Sequence, residues 1–304
     1  MMKKELKKIA LIALSAYLLI SLVFSFVYFN FVFGRNTNES PYSYSDYSDR
    51  YPRTEVQFYS GKNRLTGYFY NNENAKGIVI VAHGMNSDSD SHLPETAYFV
   101  DNGWSVFSFD GTGSGKSEGR SVVGFPQMRI DLGNAIDYIS STYPDSRIVL
   151  YGHSSGGYAV CTVNHEHISS VVSIGGFNSP TETMMFYGKE EIGYLAYLEY
   201  PFICLGNLIK FKSNVSAVDS LNRTQIPVLV IQGSDDRVVY EKISIYGHQS
   251  EIVNEKVSYM YVLEDENNDH NDTWLDGDSI DVSFMNQINA FFSDSLKQKD
   301  SFES

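Results

Sequence analysis

After Thr54, short apolar runs rich in β-branched and aromatic residues alternate with longer stretches of helical periodicity. The short runs predict strands at 54–59, 65–70, 77–82, 105–109, 147–151, 171–174, 227–232 and 257–263. The longer stretches predict helices at 95–102, 128–141, 155–164, 241–250 and 279–297. This alternation is typical of a mostly parallel sheet with helices on both faces. The sequence therefore predicts one eight-stranded sheet, opened by an antiparallel pair because Ser60-Gly61-Lys62-Asn63 is a hairpin signal.

One interval departs from this alternation. Between the strand that ends near Ile174 and the one that starts at Pro227 lie about fifty residues, whereas such connections usually have about 2 to 6. The interval predicts a helical cap at about 177–224. It contains aromatic and methionine residues that could cover an apolar pocket: Phe177, Met184, Met185, Phe186, Tyr187, Tyr194, Tyr197, Tyr200, Phe202 and Phe211.

The amino-terminal segment has four early lysines followed by an apolar run from Ile9 to Phe33. As a helix of about 25 residues at ~1.5 Å each, this run is longer than the ~30 Å hydrocarbon core of a bilayer. A cleaved signal peptide needs a shorter apolar core than this run and small residues at its cleavage site. We therefore predict that residues 1–35 form an uncleaved transmembrane signal anchor. We predict that residues 36–53 form an exposed linker and that residues 54–304 form the folded domain. The lysines predict a single-pass protein of the cell membrane whose domain lies on the extracytoplasmic face.

Composition and charge narrow the possible partners. After Arg35 the chain holds 18 basic and 36 acidic residues, a net charge of −18, which argues against binding to nucleic acid or anionic headgroups. Cys161 and Cys204 lack C-x-x-C spacing and lie in apolar surroundings, which predicts buried free thiols. The acidic run at 264–281 lacks the spacing of a calcium loop. The sequence predicts no metal and no cofactor.

Candidate chemistry begins with the G-x-S-x-G sequence at 152–156, directly after a predicted strand. A strand, a sharp turn and a helix together expose a serine hydroxyl, which makes Ser154 the candidate nucleophile. Such a serine needs a base and an acid, in the chain order Ser, Asp, His. Asp235 and Asp236 follow the strand at 227–232, and His270 follows the last predicted strand. In open parallel sheets, active and binding sites lie at the carboxyl ends of the strands.

On these motifs, residues 54–297 resemble the alpha/beta hydrolase superfamily, and most nearly its capped serine aminopeptidase and monoacylglycerol lipase-like branch. The resemblance implies that Ser154 is the nucleophile and His270 the base. It favours Asp236 as the acid, because the family pattern G-x-x-D-x-x-V places the acid three residues after Gly233. Asp235 remains the competing acid.

The resemblance also implies an oxyanion hole formed by two backbone amides, that of Ser155 and that of Met85 in the His-Gly turn after the third strand. The turn at 110–117 resembles the family's D-x-R-G-x-G-x-S sequence, but Thr112 occupies the arginine position. A phosphate-binding loop is the competing interpretation of this turn. That motif requires glycine where this chain has Asp110.

We therefore expect a membrane-anchored serine hydrolase that cleaves an ester, thioester or amide of a small acyl ester, lipid or short peptide through an acyl-enzyme. A peptidase is the alternative enzyme, in which Glu190, Glu191 or Glu199 of the cap would hold a substrate ammonium. Aromatic residues and methionines in the pocket would favour acyl esters. A catalytically silent surface protein with a binding role is the third interpretation. Fold alone does not choose among these functions.

Overall fold

The computed structural model describes residues 2–211, 214–263 and 268–303. Eight strands form one sheet in the order β1-β2-β4-β3-β5-β6-β7-β8. β1 and β2 are antiparallel to each other, β2 is antiparallel to β4, and all other pairs are parallel. Their bounds are Thr54–Ser60, Asn63–Tyr70, Ile78–Ala82, Ser105–Phe109, Ile148–His153, Ile168–Ile174, Val228–Gly233 and Val257–Val262. The predicted eight-stranded, mostly parallel sheet is therefore confirmed.

Helices surround this sheet. They are α1 (Met2–Val32), α2 (Leu93–Asp101), α3 (Phe125–Thr142), α4 (Ser155–Thr162), α5 (Pro180–Ile192), α6 (Ala196–Phe211), α7 (Ala217–Leu221) and α8 (Val282–Glu303). Residues of α3, α4 and α7 pack in the apolar core on one face of the sheet. Residues of α2 and α8 pack in the core on the other face. The strands between these layers are buried almost throughout because both of their faces are covered.

Two predicted helices are wrong in part. The predicted helix at 241–250 is two 3₁₀ helices, Glu241–Ile243 and Tyr246–Glu251. They are interrupted because the amide of Ile245 donates to the carbonyl oxygen of Gly176, at 2.8 Å. The predicted helix at 279–297 begins only at Val282, since Ser279–Ile280 pairs with Leu275–Asp276 in a small antiparallel hairpin.

The segment 36–53, predicted as an exposed linker, packs on the domain. The Arg53 side chain is 9% exposed and lies between the rings of Tyr44 and Tyr68, 3.7 and 3.8 Å from their centroids. Its guanidinium donates to Tyr70 Oη at 3.0 Å and forms a close ion pair with Asp90. Burial of tyrosine rings and of one paired cation explains why a segment of polar composition is nevertheless held in place.

The interval predicted as a cap contains α5, α6 and α7. Of these, α7 packs in the core of the sheet domain, and α6 lies beside α1. The Tyr17 and Phe202 rings meet edge to face with centroids 5.9 Å apart, and Ser25 Oγ donates to Glu199 Oε2 at 3.0 Å. Within the described residues, two helical stretches are long and apolar enough to cross a membrane, Lys3–Val32 and Pro180–Phe211, with mean hydropathies of 2.4 and 1.2. Length and composition alone make these two stretches candidates.

We expect Arg53→Met to lower the free energy of unfolding by about 2 to 3 kcal/mol, because it leaves the Asp90 carboxylate without its partner in a half-buried position. Arg50→Met is the matched control on the same segment, because its ion pair with Asp101 is largely exposed and should contribute below about 1 kcal/mol. Thermal unfolding of the full chain in detergent, followed by circular dichroism, measures both effects. Equal losses for the two variants would contradict the packing described for Arg53.

An ion pair joins α5 to the segment between β7 and β8. His248 Nε2 lies 3.1 Å from Glu182 Oε1 of α5, and His248 Nδ1 donates to the Ser244 carbonyl oxygen at 2.8 Å. The hydrogen bond to Glu182 raises the pKa of His248 to about 9.

A raised pKa stabilises the folded state fully below the ordinary value near 6.5, and the stabilisation is lost as pH rises through about 9. We therefore expect His248→Gln to destabilise the protein at pH 6 and to have little effect at pH 10. Denaturant unfolding at the two pH values measures this difference, and Glu182→Gln should reproduce it. A penalty for His248→Gln that is the same at both pH values would contradict the charged pair.

Candidate active site

The predicted nucleophile lies in a strained turn between β5 and α4. Ser154 has φ 56° and ψ −118°, a conformation that residues other than glycine rarely adopt and that costs about 1 to 3 kcal/mol. Its amide donates to the Ile174 carbonyl oxygen at 2.9 Å. Two glycines permit the turn, because a Cβ at Gly156 would lie 2.0 Å from the Ala82 carbonyl oxygen and one at Gly152 would lie 2.4 Å from the Gly156 carbonyl oxygen.

The structure brings His270 and Asp236 together and leaves Asp235 outside. His270 Nδ1 lies 2.8 Å from Asp236 Oδ2, and the two side chains are 4% and 2% exposed. Asp235 is exposed and pairs with Arg237 at 3.0 Å. Gly175 lies against the His270–Asp236 pair with φ +56°, and a Cβ there would lie 3.2 Å from both Asp236 Oδ2 and His270 Nδ1. Of the two candidate acids, only Asp236 therefore contacts the imidazole.

The Asp236 carboxylate is also held by the residues around it. Its Oδ1 accepts from the amides of Val238 and Val239 at 2.9 and 2.6 Å, and its Oδ2 accepts from Gln232 Nε2 at 3.1 Å. These donors satisfy a carboxylate that burial would otherwise penalise. Asp236 consequently presents a fixed oxygen to His270.

The residues of the two predicted oxyanion donors lie near the turn of Ser154. A Cβ at Gly84 would lie 3.1 Å from Ser154 Cβ, which places the loop after β3 next to the turn. Met85 and Ser155 line one small cavity of about 30 Å³. Ser155 is the first residue of α4, so its amide has no carbonyl within the helix to bind.

His83 fixes the loop that carries Met85. Its Nδ1 donates to the Gly84 carbonyl oxygen at 2.7 Å, while its Nε2 accepts from the Gly111 amide at 2.9 Å. Burial lowers the pKa of His83, which keeps the ring neutral, as one donor and one acceptor require. Two hydrogen bonds of the His83 ring therefore hold the His-Gly turn in place.

His153 has a contact with the site that the sequence did not reveal. Its Nε2 donates to the backbone oxygen of His270 at 2.7 Å, and its ring packs on Trp274 with centroids 4.8 Å apart. Burial, followed by the neighbouring His270 ring, holds the pKa of His153 well below its ordinary value. Neutral His153 therefore supports the loop of His270. In the sequence it was only the variable position of G-x-S-x-G, and no signal there pointed to a partner 117 residues away.

The carbonyl oxygens of the glycine-rich turn after β4 accept hydrogen bonds from an arginine of a distant segment. Arg35 donates to the carbonyl oxygens of Gly115, Ser117 and Gly119 at 2.8, 3.0 and 2.7 Å. Thr112, at the position where the family has arginine, instead donates through its amide and hydroxyl to Asp131. Arg35, three residues after the end of α1, therefore places a guanidinium at this turn.

A cavity of about 900 Å³ opens above Ser154 and His270. Its lining includes Met85, Phe125, Phe177, Met184, Tyr187 and Trp274, and two carboxylates, Glu39 and Glu191. The remaining predicted cap residues, among them Tyr194, Tyr197 and Tyr200, do not line this cavity. Cys161 is a buried free thiol and Cys204 a half-buried one. In the parts of the chain that the structure describes, no group of three or more His, Cys, Asp or Glu could hold a metal ion.

The strain at Ser154 predicts an unusual response to substitution. We expect Ser154→Gly to be about 1 kcal/mol more stable than Ser154→Ala, because only glycine adopts this conformation without penalty. Ser140→Gly and Ser140→Ala are the control pair, and there glycine should be the less stable because it lies inside α3. Chemical unfolding of the four variants measures both differences. The same order in the two pairs would contradict the strain.

The chain is similar in sequence to several known proteins. The model of the family described as serine aminopeptidase, S33, matches residues 73–181. The protein YfhR of Escherichia coli, whose function is uncharacterised, is 29% identical over 188 residues, which cover 58% of this chain and 60% of YfhR. The mouse monoglyceride lipase is 27% identical over 226 residues, which cover 61% of this chain and 74% of the lipase.

Among solved structures, the Pyrococcus furiosus esterase Pf2001 superimposes with a TM-score of 0.64. It shares 18% sequence identity, and the superposition covers 88% of this chain and 98% of the esterase. A likeness at that identity concerns the fold alone. The chain therefore has the alpha/beta hydrolase fold, and over residues 73–181 its sequence is similar to that of the serine aminopeptidase, S33, family.

Proposed function

We propose that the protein is a membrane-anchored serine hydrolase that cleaves acyl esters through an acyl-enzyme. One observation carries the proposal: Ser154 lies in a strained turn at the cavity whose lining also includes His270, and Asp236 holds that imidazole at 2.8 Å. A serine, a histidine and a buried carboxylate in this order form the arrangement that activates a serine hydroxyl.

The proposed reaction has two halves. Ser154 Oγ attacks the substrate carbonyl carbon while its proton passes to His270 Nε2, and Asp236 stabilises the resulting imidazolium. The carbonyl oxygen becomes an oxyanion that the amides of Met85 and Ser155 bind, each contributing roughly 3 to 4 kcal/mol. The alcohol leaves with the proton from His270. A water molecule then attacks the acyl-enzyme with His270 as base, which releases the carboxylic acid and restores Ser154.

The lining of the cavity supports an acyl ester over a peptide. Phe125, Phe177 and Met184 offer apolar surface to an acyl group. The mouse monoglyceride lipase and the Pyrococcus esterase, to which the chain is similar, are named for ester substrates.

A peptidase is the second candidate, and Glu191 is the observation that favours it. Glu191 lines the cavity and could hold a substrate ammonium. Glu199 accepts a hydrogen bond from Ser25, and Glu190 does not line the cavity. The cap therefore offers one of the three predicted glutamates at the site. An aminoacyl amide cleaved faster than the matching acyl ester would favour the peptidase.

The proposed anchor is residues 1–35, which include α1. Lys3, Lys4, Lys7 and Lys8 precede the apolar part of the helix, which favours a cytoplasmic amino end and an extracytoplasmic hydrolase domain. This domain then begins in the segment that follows α1, because Arg35 and Arg53 both contact the sheet domain. The cap remains the insertion at about 177–224.

The proposal predicts that a membrane-impermeant fluorophosphonate probe labels the protein on intact cells and that Ser154→Ala abolishes the labelling. Asp236→Asn should lower ester hydrolysis by about 10⁴-fold, because an amide cannot hold the required tautomer of His270. Asp235→Asn is the matched control one position away, and it should retain nearly full activity. Folded protein that no fluorophosphonate labels, even in detergent, would overturn the proposal. Labelling only after the cells are opened would overturn the orientation.

A further inference from the structure

A second cavity lies between the anchor helix and the cap. It has a volume of about 610 Å³ and is lined by α1 from Leu22 to Asn30 and by residues of α5 and α6. Tyr28, Met184 and Glu191 line both this cavity and the one above Ser154. The two cavities therefore adjoin. We name the second cavity the anchor groove.

The walls of the anchor groove are mostly apolar. They include Leu22, Val23, Phe26, Phe29, Phe202 and Ile203. The lining also holds polar side chains. Most of them bind protein groups: Ser25 donates to Glu199, Asn30 to the Phe26 carbonyl oxygen, Asn207 to Thr181 and Lys210 to the Val123 carbonyl oxygen. Tyr28 and Glu191 lie where the groove meets the cavity above Ser154. Such walls fit a hydrocarbon chain, since they offer dispersion contacts and few free hydrogen-bonding groups.

The groove lies at the depth of the proposed membrane segment. Tyr17 Oη donates to the Leu198 carbonyl oxygen, so α6 contacts α1 sixteen residues before Phe33. At ~1.5 Å per residue, this contact is about 24 Å along the helix from the point where the chain joins the domain. A helix that lies alongside a transmembrane helix over such a length lies in the bilayer too.

The outer face of the cap exposes large apolar side chains, as expected of a surface that contacts lipid. Tyr194, Tyr197 and Leu198 are 80%, 58% and 50% exposed, and Pro180–Phe211 is apolar enough for a membrane. A large exposed apolar surface indicates contact with a membrane or a partner. Here the adjacent candidate transmembrane helix identifies the membrane as that environment.

We propose that the anchor groove binds the acyl chain of a lipid ester, which enters sideways from the bilayer and places its carbonyl group at Ser154. This inference rests on the proposed function and adds to it the substrate class and the site of the chain. The membrane anchor then has a second role, because α1 forms one wall of the binding site. Each methylene group buried there should strengthen binding about three- to fourfold.

Gly206 offers a way to fill the groove. It lines the groove from α6, and a Cβ at this position would meet nothing within 4 Å. Gly206→Trp therefore occupies the groove without a clash at the Cβ. Leu208→Trp is the matched control, because Leu208 lies on the same helix, is 56% exposed and lines neither cavity.

The experiment compares two alkyl fluorophosphonates, one with an ethyl and one with a hexadecyl chain, on the full chain in phosphatidylcholine vesicles. Ser154 Oγ forms a bond to phosphorus, fluoride leaves, and the serine proton passes through His270 to solvent. We expect the hexadecyl reagent to react more than tenfold faster than the ethyl reagent. Gly206→Trp should lower this ratio at least tenfold, and Leu208→Trp should keep it. An unchanged ratio in Gly206→Trp would overturn the inference.

A second measurement separates this inference from the proposed function. The catalytically inactive Ser154→Ala protein is placed in vesicles of phosphatidylcholine that carries a photoactivatable diazirine on one acyl chain. Met184 is 7% exposed and lies where the two cavities meet. We expect an adduct at Met184 that Gly206→Trp removes. Adducts confined to outward residues such as Leu198 would overturn the groove, whereas failure of both fluorophosphonates to label Ser154 would overturn only the proposed function.

Discussion

The structure depends on a close approach of backbone to backbone at the start of α4. The position of a Cβ at Gly156 is 2.0 Å from the Ala82 carbonyl oxygen, so α4 begins almost in contact with the end of β3. No side chain fits between them. This approach places the turn of Ser154 beside the loop of Met85, and Met85 and Ser155 line one small cavity. The same contact thus sets the strain of the serine and the position of the predicted oxyanion donors.

The chain beyond Arg35 has a net charge of −18. The charge of Asp236 is nevertheless stabilised by hydrogen bonds from its immediate neighbours. Asp236 receives hydrogen bonds from two amides, from Gln232 and from His270. Such donors replace the water that burial removes. Asp235 shows the contrast, because the adjacent position in the chain faces solvent and pairs with Arg237. One step along the backbone therefore separates a solvated surface charge from a buried one.

The sequence was sufficient where the pattern is local. The buried strands were predicted because both faces are apolar, and Ser154 because the glycines of its turn adjoin it in the chain. The sequence was insufficient where the partner is distant. The contacts of His153 with His270, of Arg35 with the turn at 115–119 and of Ile245 with Gly176 arise only once the sheet brings remote segments together. Segment 36–53 was misjudged for the same reason, since its polar composition gives no sign that Arg53 lies between two tyrosine rings.

The docking of Arg35 and Arg53 has a consequence for any attempt to obtain the domain in soluble form. Removal of the first 53 residues would follow the boundary that composition suggests. It would also delete the guanidinium groups that serve Asp90 and three backbone carbonyl oxygens, and it would uncover the ring of Tyr68. A chain cut there would have an incomplete surface beside the glycine-rich turn. The natural unit for expression therefore starts at the end of the helix and keeps the polar segment as part of the folded body.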